Sequence, residues 1–148
     1  MDVKYKLIID IFTHPYIDKK GWIFKADVDW SKAEIEIDDD NDSYIIWHNG
    51  AWKDGWWYGG KWEYGVWEKG TWHIGSWHNG VWHNGVWEKG YWDNGIWYDG
   101  LWKDGYWYNG IWQNGVWVKG KIYNPKTNQY EFSELPPSKC KWSLSYGR

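Results

Sequence analysis

This 148-residue chain is poor in the residues that mark several common classes of protein. It has a single cysteine, Cys140, so no disulfide can form within the chain. No apolar run approaches the ~20 residues that a membrane-spanning helix needs. The start, Met1-Asp2-Val3-Lys4, is too acidic and too soon polar for a secretory signal peptide. We therefore expect a soluble or particle-bound intracellular product.

The net charge of −3 is too small to indicate a nucleic-acid partner by itself. Its distribution is uneven: residues 1–46 carry six Lys and eleven Asp or Glu, residues 47–120 six and seven, and residues 121–148 four Lys, one Arg and two Glu. An acidic head and a basic tail favour oriented docking on neighbours, although screening over about 8 Å limits this to close approach. Ordinary solvated termini are the alternative.

Recognisable catalytic motifs are also missing. The glycines punctuate a repeat and form no phosphate-binding loop, and no Ser/His/acid or Cys/His set has support beyond the residues being present. The acidic residues of the repeat are exposed by pattern, with no basis for a shifted pKa. The sequence thus predicts no catalytic residue, no cofactor and no enzyme.

What the chain does have is a five-residue repeat over residues 47–120, and repeats are considered before any other pattern. The unit reads apolar-Trp-polar-Asn/Asp/Lys-Gly, as in Val81-Trp82-His83-Asn84-Gly85. Six of its glycines follow Asn and are the predicted turn glycines, namely Gly50, Gly80, Gly85, Gly95, Gly110 and Gly115. Its fifteen tryptophans are Trp47, Trp52, Trp57, Trp62, Trp67, Trp72, Trp77, Trp82, Trp87, Trp92, Trp97, Trp102, Trp107, Trp112 and Trp117.

Our preferred interpretation is an elongated all-β antiparallel meander with very short strands. Asn-Gly and Asp-Gly favour type I′ turns, in which both central residues have positive φ. A hairpin around Asn84-Gly85 would pair Trp82 with Trp87 and place every repeat Trp on one side of the ribbon. Each unit then resembles the designed tryptophan-zipper hairpins. Fifteen strands would give a ribbon of roughly 70 Å.

The alternative is a β-solenoid. Gly and Trp have the spacing of the two inward positions of pentapeptide-repeat proteins, which stack square coils of four repeats. The chain departs from that family because its inward residue is always Trp and the position between is apolar, as at Val66 and Ile96. In either form the repeat Trps are expected to be core, since an exposed apolar strip of this size would aggregate.

The flanks predict short β segments that cap both ends of the array, because open sheet edges invite aggregation. The N-terminal cap, residues 1–46, alternates in phase over residues 3–12, 22–30 and 33–37. The C-terminal segment, residues 121–148, predicts a hairpin around residues 124–128 and a last strand over 140–146.

Two sets of residues suggest metal binding. Asp38, Asp40 and Asp42 have the opening spacing of a calcium loop, but Ser43 and Asn49 stand where an EF-hand needs Gly and Glu. We expect a solvated loop, with a looser calcium site as the alternative. His48, His73, His78 and His83 are predicted to be surface residues, since a meander separates them by two strands or across the ribbon and a square solenoid puts successive ones on different sides.

Arrays of Trp/Phe-x-x-Gly units with Asn-Gly turns resemble segments of tailed-phage particle proteins. For residues 47–120 this resemblance implies a non-enzymatic structural component of a virus particle, in the capsid, connector or tail, that docks on protein neighbours through its termini. One alternative is a carbohydrate-binding or host-attachment module that stacks sugars on exposed Trps such as Trp52 and Trp97. Another is a cytoplasmic protein-interaction scaffold. Nucleic-acid binding is disfavoured because the array is slightly acidic.

Overall fold

A computed structural model describes residues 21–38 and 44–148. Within these ranges the chain forms a short 3-10 helix, Gly21–Lys25, and nineteen β-strands. The first four strands are β1 (Asp27–Val28), β2 (Glu34–Asp38), β3 (Tyr44–Asn49) and β4 (Ala51–Asp54). The two-residue strands of the array are β5 (Trp56–Trp57), β6 (Lys61–Trp62), β7 (Val66–Trp67), β8 (Thr71–Trp72), β9 (Ser76–Trp77), β10 (Val81–Trp82), β11 (Val86–Trp87), β12 (Tyr91–Trp92), β13 (Ile96–Trp97), β14 (Leu101–Trp102), β15 (Tyr106–Trp107), β16 (Ile111–Trp112) and β17 (Val116–Trp117). The last two are β18 (Gly120–Asn124) and β19 (Gln129–Ser133).

Each short strand pairs in parallel with the strand three places later in the chain. Trp82 lies beside Trp67 on one hand and Trp97 on the other, so residues fifteen apart are neighbours. Three repeats therefore make one coil, and the array forms a β-solenoid of five coils. Its three sheets are side A (β3-β6-β9-β12-β15-β18), side B (β4-β7-β10-β13-β16) and side C (β5-β8-β11-β14-β17).

The all-β repeat architecture is confirmed, and the structure decides between its two predicted forms. The meander is wrong, since consecutive repeats lie on different sides and do not pair as strands. Trp82 and Trp87, the pair that the meander would place opposite each other, instead meet edge to face at 5.8 Å across a corner. The solenoid alternative is confirmed, with a triangle of three repeats to a coil in place of the square of four.

The corner between two sides explains why the meander fails. A type I′ turn needs positive φ at both central residues, but Asn128 is the only non-Gly residue with positive φ in the part of the chain that the structure describes. In the repeat only the glycine has it, with φ +127° at Gly85. The side chain of Asn84 accepts a hydrogen bond from the Gly85 N–H at 2.8 Å. The Asn-Gly pair thus turns a corner and does not reverse the chain.

Glycine is required at the corners also because successive coils touch there, as Gly80 shows. The Val81 N–H donates to the Gly65 carbonyl at 2.9 Å, and the His83 N–H donates to the Trp67 carbonyl at 2.8 Å. A Cβ on Gly80 would lie 2.3 Å from the Gly65 carbonyl oxygen. A side chain would strain the backbone and push the coils apart, which explains why the glycine recurs with the same period as the Trp.

The interior is filled by the repeat Trps. Thirteen of the fifteen are fully buried, and Trp112 and Trp117 are 3% and 7% exposed. Trps fifteen residues apart stack nearly parallel, with ring centroids 4.7–5.1 Å apart and interplanar angles of 3–11°. Trps of consecutive repeats meet edge to face at 5.6–6.0 Å. Both geometries are favourable, each contact being worth about 0.5–1.5 kcal/mol beyond burial.

The indole N–H groups are the polar cost of this core. The Nε1 atoms of Trp77, Trp82, Trp92 and Trp97 donate to the main-chain carbonyl seventeen residues later, at 3.1–3.2 Å. Eight others have no hydrogen-bond partner within the described structure: Trp47, Trp52, Trp57, Trp62, Trp67, Trp72, Trp87 and Trp102. Each buried donor without a partner costs about 1–3 kcal/mol, so ring packing must outweigh this penalty.

The N-terminal cap covers the first coil. β1 pairs antiparallel with β4, β2 pairs antiparallel with β3, and Trp22 meets Trp57 edge to face at 5.5 Å. The strand predicted over 33–37 is confirmed as β2, whereas the strand over 22–30 is wrong, because the 3-10 helix precedes the two-residue β1. The buried residues here are Ile23, Ala26 and Val28. Because residues 22–24 are all apolar, the sequence does not show which of them faces the core. The strand predicted over 3–12 lies outside the described residues.

The C-terminal segment covers the last coil. The predicted hairpin is confirmed, with β18 and β19 paired antiparallel and Asn124 opposite Gln129. The strand predicted over 140–146 is wrong, since this stretch forms successive turns. Ser145 is fully buried and accepts a hydrogen bond from the Trp107 Nε1 at 2.9 Å, while the Trp117 Nε1 donates to the Ser133 carbonyl at 3.0 Å. The tail therefore satisfies indole donors at the end of the core.

Candidate functional site

The repeat Trps do not form a binding surface. Trp52 and Trp97, on which sugars would stack in the carbohydrate-binding hypothesis, are both fully buried. The candidate sites therefore lie on the outer surface, formed by the residue before each Trp and the two residues after it. Because these residues point outward from stacked strands, side chains fifteen residues apart form columns along the solenoid.

The columns are chemically matched. Opposite charges or hydrogen-bonding partners lie fifteen residues apart in His73–Glu88 (3.0 Å), His78–Asp93 (3.2 Å), Asp54–Lys69 (4.0 Å) and Asp104–Lys119 (4.0 Å). These pairs are largely exposed, and each is worth at most about 1 kcal/mol. Together they support the register of the coils.

The four histidines do not converge. His73, His78 and His83 lie on sides C, A and B in turn, as expected for a solenoid with successive residues on different sides. Among the described residues no group of three His, Cys, Asp or Glu side chains is arranged to hold a metal ion. Of the calcium candidates, Asp40 and Asp42 lie outside the described residues, and Asp38 ends β2. A calcium site there stays a hypothesis.

His48 departs from its prediction as a surface residue. It is 8% exposed, and its ring lies between two carboxylates, with Nδ1 2.9 Å from Glu63 Oε2 and Nε2 2.8 Å from Glu36 Oε1. A protonated ring would donate to both. Burial raises the pKa of Glu63, but the hydrogen bond and charge of His48 outweigh it, so that the pKa lies below its usual value. This clamp joins β2 to the first two coils of side A.

An aromatic cluster lies at the N-terminal end of side C. Trp56, the one Trp of the array outside the period, is 53% exposed and stacks on Tyr58 at 5.8 Å. Trp22 meets the ring of Tyr58 edge to face at 5.6 Å. With Lys25 these residues line a cavity of about 460 Å³.

A second aromatic cluster lies toward the C-terminal end of side A. Tyr91 and Tyr106 stack at 4.6 Å with an interplanar angle of 13°. Tyr130 of β19 meets Tyr106 edge to face at 5.2 Å, and Tyr108 contacts Tyr123 at 4.7 Å. Burial, together with the charge of nearby Asp93, raises the pKa of Tyr130 to about 12. We call these five residues the tyrosine cluster.

A groove follows the C-terminal segment. Phe132, Leu135 and Trp142 line it together with Lys139 and Lys141, and it encloses about 520 Å³. Phe132 is 56% exposed and Leu135 is 54% exposed. We call this the C-terminal groove. It combines apolar rings and chains with two cations and the carboxylate of Glu134.

Cys140 also lines the C-terminal groove, but its thiol is shielded. The residue is 2% exposed, and burial raises the pKa of the thiol. A buried, protonated thiol is a poor nucleophile.

The sequence interpretation missed the tyrosine cluster and the histidine–carboxylate pairs. The signal was present, since Tyr91 and Tyr106, or His78 and Asp93, stand fifteen positions apart. It becomes visible only when the repeats are aligned in threes, whereas the meander placed emphasis on neighbours five apart.

Comparison with protein-family models, with curated proteins and with solved structures finds no match to this chain. Within the described ranges no helix has the length and apolar character needed to cross a membrane. The function is therefore inferred from the geometry of the outer surface and from the sequence resemblance of residues 47–120.

Proposed function

We propose that this chain is a non-enzymatic structural component of a virus particle, most simply of a tailed phage, in which a rigid β-solenoid acts as a brace between neighbouring subunits. The link to a virus particle rests on the sequence resemblance of residues 47–120. The brace rests on the architecture, because a stack of coils that share both main-chain hydrogen bonds and a stacked core resists bending.

The observation that carries the docking part of the proposal is the C-terminal groove. Phe132 and Leu135 stay more than half exposed although every repeat Trp is buried. Exposed apolar residues with a polar rim are typical of protein–protein contact surfaces. Two lysines, Lys139 and Lys141, stand against one carboxylate, that of Glu134, in the lining, so the groove suits a segment of a neighbouring subunit that carries apolar side chains and a carboxylate.

The strand next to the groove supports the same role. β19 ends its sheet and pairs with β18 alone among the described strands. A terminal strand offers main-chain donors and acceptors to an added strand. A neighbour could therefore extend side A while its apolar side chains enter the groove.

The proposal is tested by mass spectrometry of purified particles and by light scattering of the purified chain. We expect the chain in the particles at a fixed ratio to the other subunits, and association of the isolated chain when particle proteins are added. Phe132→Ser with Leu135→Ser should abolish this association, whereas Tyr98→Ser, an exposed control on side B, should not. A stable monomer that is absent from purified particles would refute the proposal.

The other two hypotheses make different predictions for the same experiments. A cytoplasmic scaffold would be absent from particles. Cellular proteins would bind the parent chain but not the variant that carries Phe132→Ser and Leu135→Ser. The carbohydrate-binding module, as formulated on exposed repeat Trps, has lost the surface that it required, because Trp52 and Trp97 are buried.

A further inference from the structure

On side A, the residues that directly precede the Trps form a column in which one small side chain stands between a lysine and two stacked tyrosines. In order along the solenoid it reads Lys61, Ser76, Tyr91, Tyr106 and Lys121, and each residue is in register with the next. Tyr91 has the ring of Tyr106 on one side, 4.6 Å away. On its other side stands Ser76, whose side chain is a single hydroxymethyl group. One face of the Tyr91 ring is therefore not covered by a ring, and Tyr91 is 52% exposed.

Tyr91 also lines a groove of about 350 Å³ with a mixed lining, which includes Tyr106 and Lys121 but not Ser76 itself. Ile74, which is 40% exposed, and the rings of Tyr91 and Tyr106 supply apolar surface. Lys89 supplies a hydrogen-bond donor and Asp104 an acceptor. Gly90 and Gly105 also line the groove, so its wall there is bare main chain.

Asp104 is available to a ligand. One carboxylate oxygen accepts a hydrogen bond from the Gly105 N–H at 2.8 Å, and the other lies 4.0 Å from the Lys119 ammonium, too far for a hydrogen bond. Its side chain is 53% exposed. At the far end of the groove the ammonium of Lys121 lies over the ring of Tyr106 at 5.8 Å. The groove is thus lined by both signs of charge.

We propose that this groove binds a neutral glycan, with one pyranose ring stacked on the open face of Tyr91, next to Ser76, and the hydroxyl groups of the adjoining sugar units bonded by Lys89 and Asp104. A pyranose has an apolar C–H face that fits an aromatic ring, and hydroxyls that both donate and accept. It therefore needs the mixed lining that the groove has. A nucleobase would stack equally well, but single-strand binders add a strongly basic groove, whereas here Asp104 cancels one of the two lysine charges in the lining, those of Lys89 and Lys121.

The groove is distinct from the C-terminal groove of the proposed function, so the two ideas can fail separately. A glycan contact on side A would leave the C-terminal groove of a brace free for its neighbours. The proposal also differs from the hypothesis of exposed repeat Trps, since it depends on the outward residues Ser76 and Tyr91 and on none of the core rings.

Two variants test the site from opposite directions. Ser76→Tyr covers the open face of Tyr91 and continues the tyrosine stack, so the fold keeps its stability while the ligand loses its place. Tyr91→Ala removes the platform. The matched controls lie on side B, where Val81→Tyr adds the same ring in the same coil, and Tyr98→Ala removes an exposed ring that stacks on His83.

The probe is an immobilised panel of neutral oligosaccharides, followed by calorimetric titration of the best one. We expect the parent chain to be retained on at least one glycan, and Ser76→Tyr and Tyr91→Ala to weaken binding about tenfold or more, which corresponds to the loss of one good ring contact. Both controls should bind as the parent does. Thermal unfolding of each variant confirms that the fold persists, and Ser76→Tyr alone suffices if Tyr91→Ala unfolds.

Three results would overturn the proposal. The first is no retention on any glycan of the panel. The second is retention that Ser76→Tyr leaves unchanged, including retention that Trp56→Ala abolishes, since the N-terminal aromatic cluster would then be the site. The third is binding of a single-stranded oligonucleotide that depends on Tyr91 in the absence of any glycan binding, which would assign the groove to another class of ligand.

Discussion

Two adjacent glycines at one corner of the solenoid give a sharp test of the fold. Gly60 has φ +122°, and a Cβ there would lie 2.4 Å from the Ile45 carbonyl oxygen. Gly59 does not have positive φ, and its nearest contact would be a methyl group of Ile74 at 3.9 Å. The two residues differ in backbone conformation and in available space, although they are adjacent in the chain and lie at the same corner.

The expected cost of Gly60→Ala follows from two contributions. A non-Gly residue held in a sparsely populated region of φ and ψ costs about 1–3 kcal/mol. Crowding that moves the main chain costs about 1–3 kcal/mol more. The sum, about 2–6 kcal/mol, is a large share of the ~5–15 kcal/mol that a typical domain has. Gly59→Ala should be neutral, or stabilising by up to about 1 kcal/mol, because it restricts the unfolded chain.

Urea unfolding followed by Trp fluorescence measures both variants against the parent chain. We expect the midpoint of Gly60→Ala to fall well below that of Gly59→Ala. A type I′ turn around these two residues would need positive φ at both. Equal destabilisation by the two substitutions would therefore refute the corner geometry and the reasoning built on it.

Three further predictions concern single side chains. Trp77→Phe should lower the free energy of unfolding by about 1–2 kcal/mol more than Trp72→Phe in urea unfolding, because only Trp77 donates to a carbonyl, that of Asn94, while the Trp72 donor has no partner; equal losses would contradict this. The free energy of unfolding should fall as the pH rises from about 10 to 12, because the phenol of Tyr130 ionises near pH 10.0 in the unfolded chain and keeps its proton to about 12 in the folded one. Urea unfolding at pH 9 and 11 should show a smaller loss of stability for Tyr130→Phe than for the parent chain. An equal loss would contradict the raised pKa. Cys140 should react with a thiol reagent at neutral pH only at the rate of unfolding, as burial and a raised pKa both protect it, and rapid native-state labelling would contradict this.

The sequence was sufficient to predict the five-residue repeat and the roles of its Trp and Gly, but not the kind of turn that joins consecutive repeats. The strict period fixes what every repeat Trp and Gly does, since only a large ring fills the interior and only Gly tolerates both the φ and the contact at Gly80. Asn-Gly, however, is compatible with two kinds of turn. The two turns differ in the φ angle of Asn84, which a type I′ turn requires to be positive and which is not positive here. A sequence does not display this angle.

The pairing of residues fifteen apart is the information that the meander overlooked. His78 with Asp93, and Tyr91 with Tyr106, are neighbours only when three repeats form a coil. The caps were harder to predict, because they lack a period. The apolar run at 22–24 gives no phase, and the buried Ser145 was missed, since serine carries no hydrophobic signal and its role is to accept from the Trp107 indole.

The most direct test of the solenoid is one distance between spin labels at positions 53 and 113. Lys53 and Gln113 are both exposed and both follow a Trp on side B, in the first and last coils. With Cys140→Ser as background, Lys53→Cys and Gln113→Cys can be labelled and measured by pulsed electron spin resonance. Four coil steps at ~4.8 Å predict about 20 Å between the two backbones. A meander would separate them by twelve strands, about 58 Å, and a distance of that size would contradict the account.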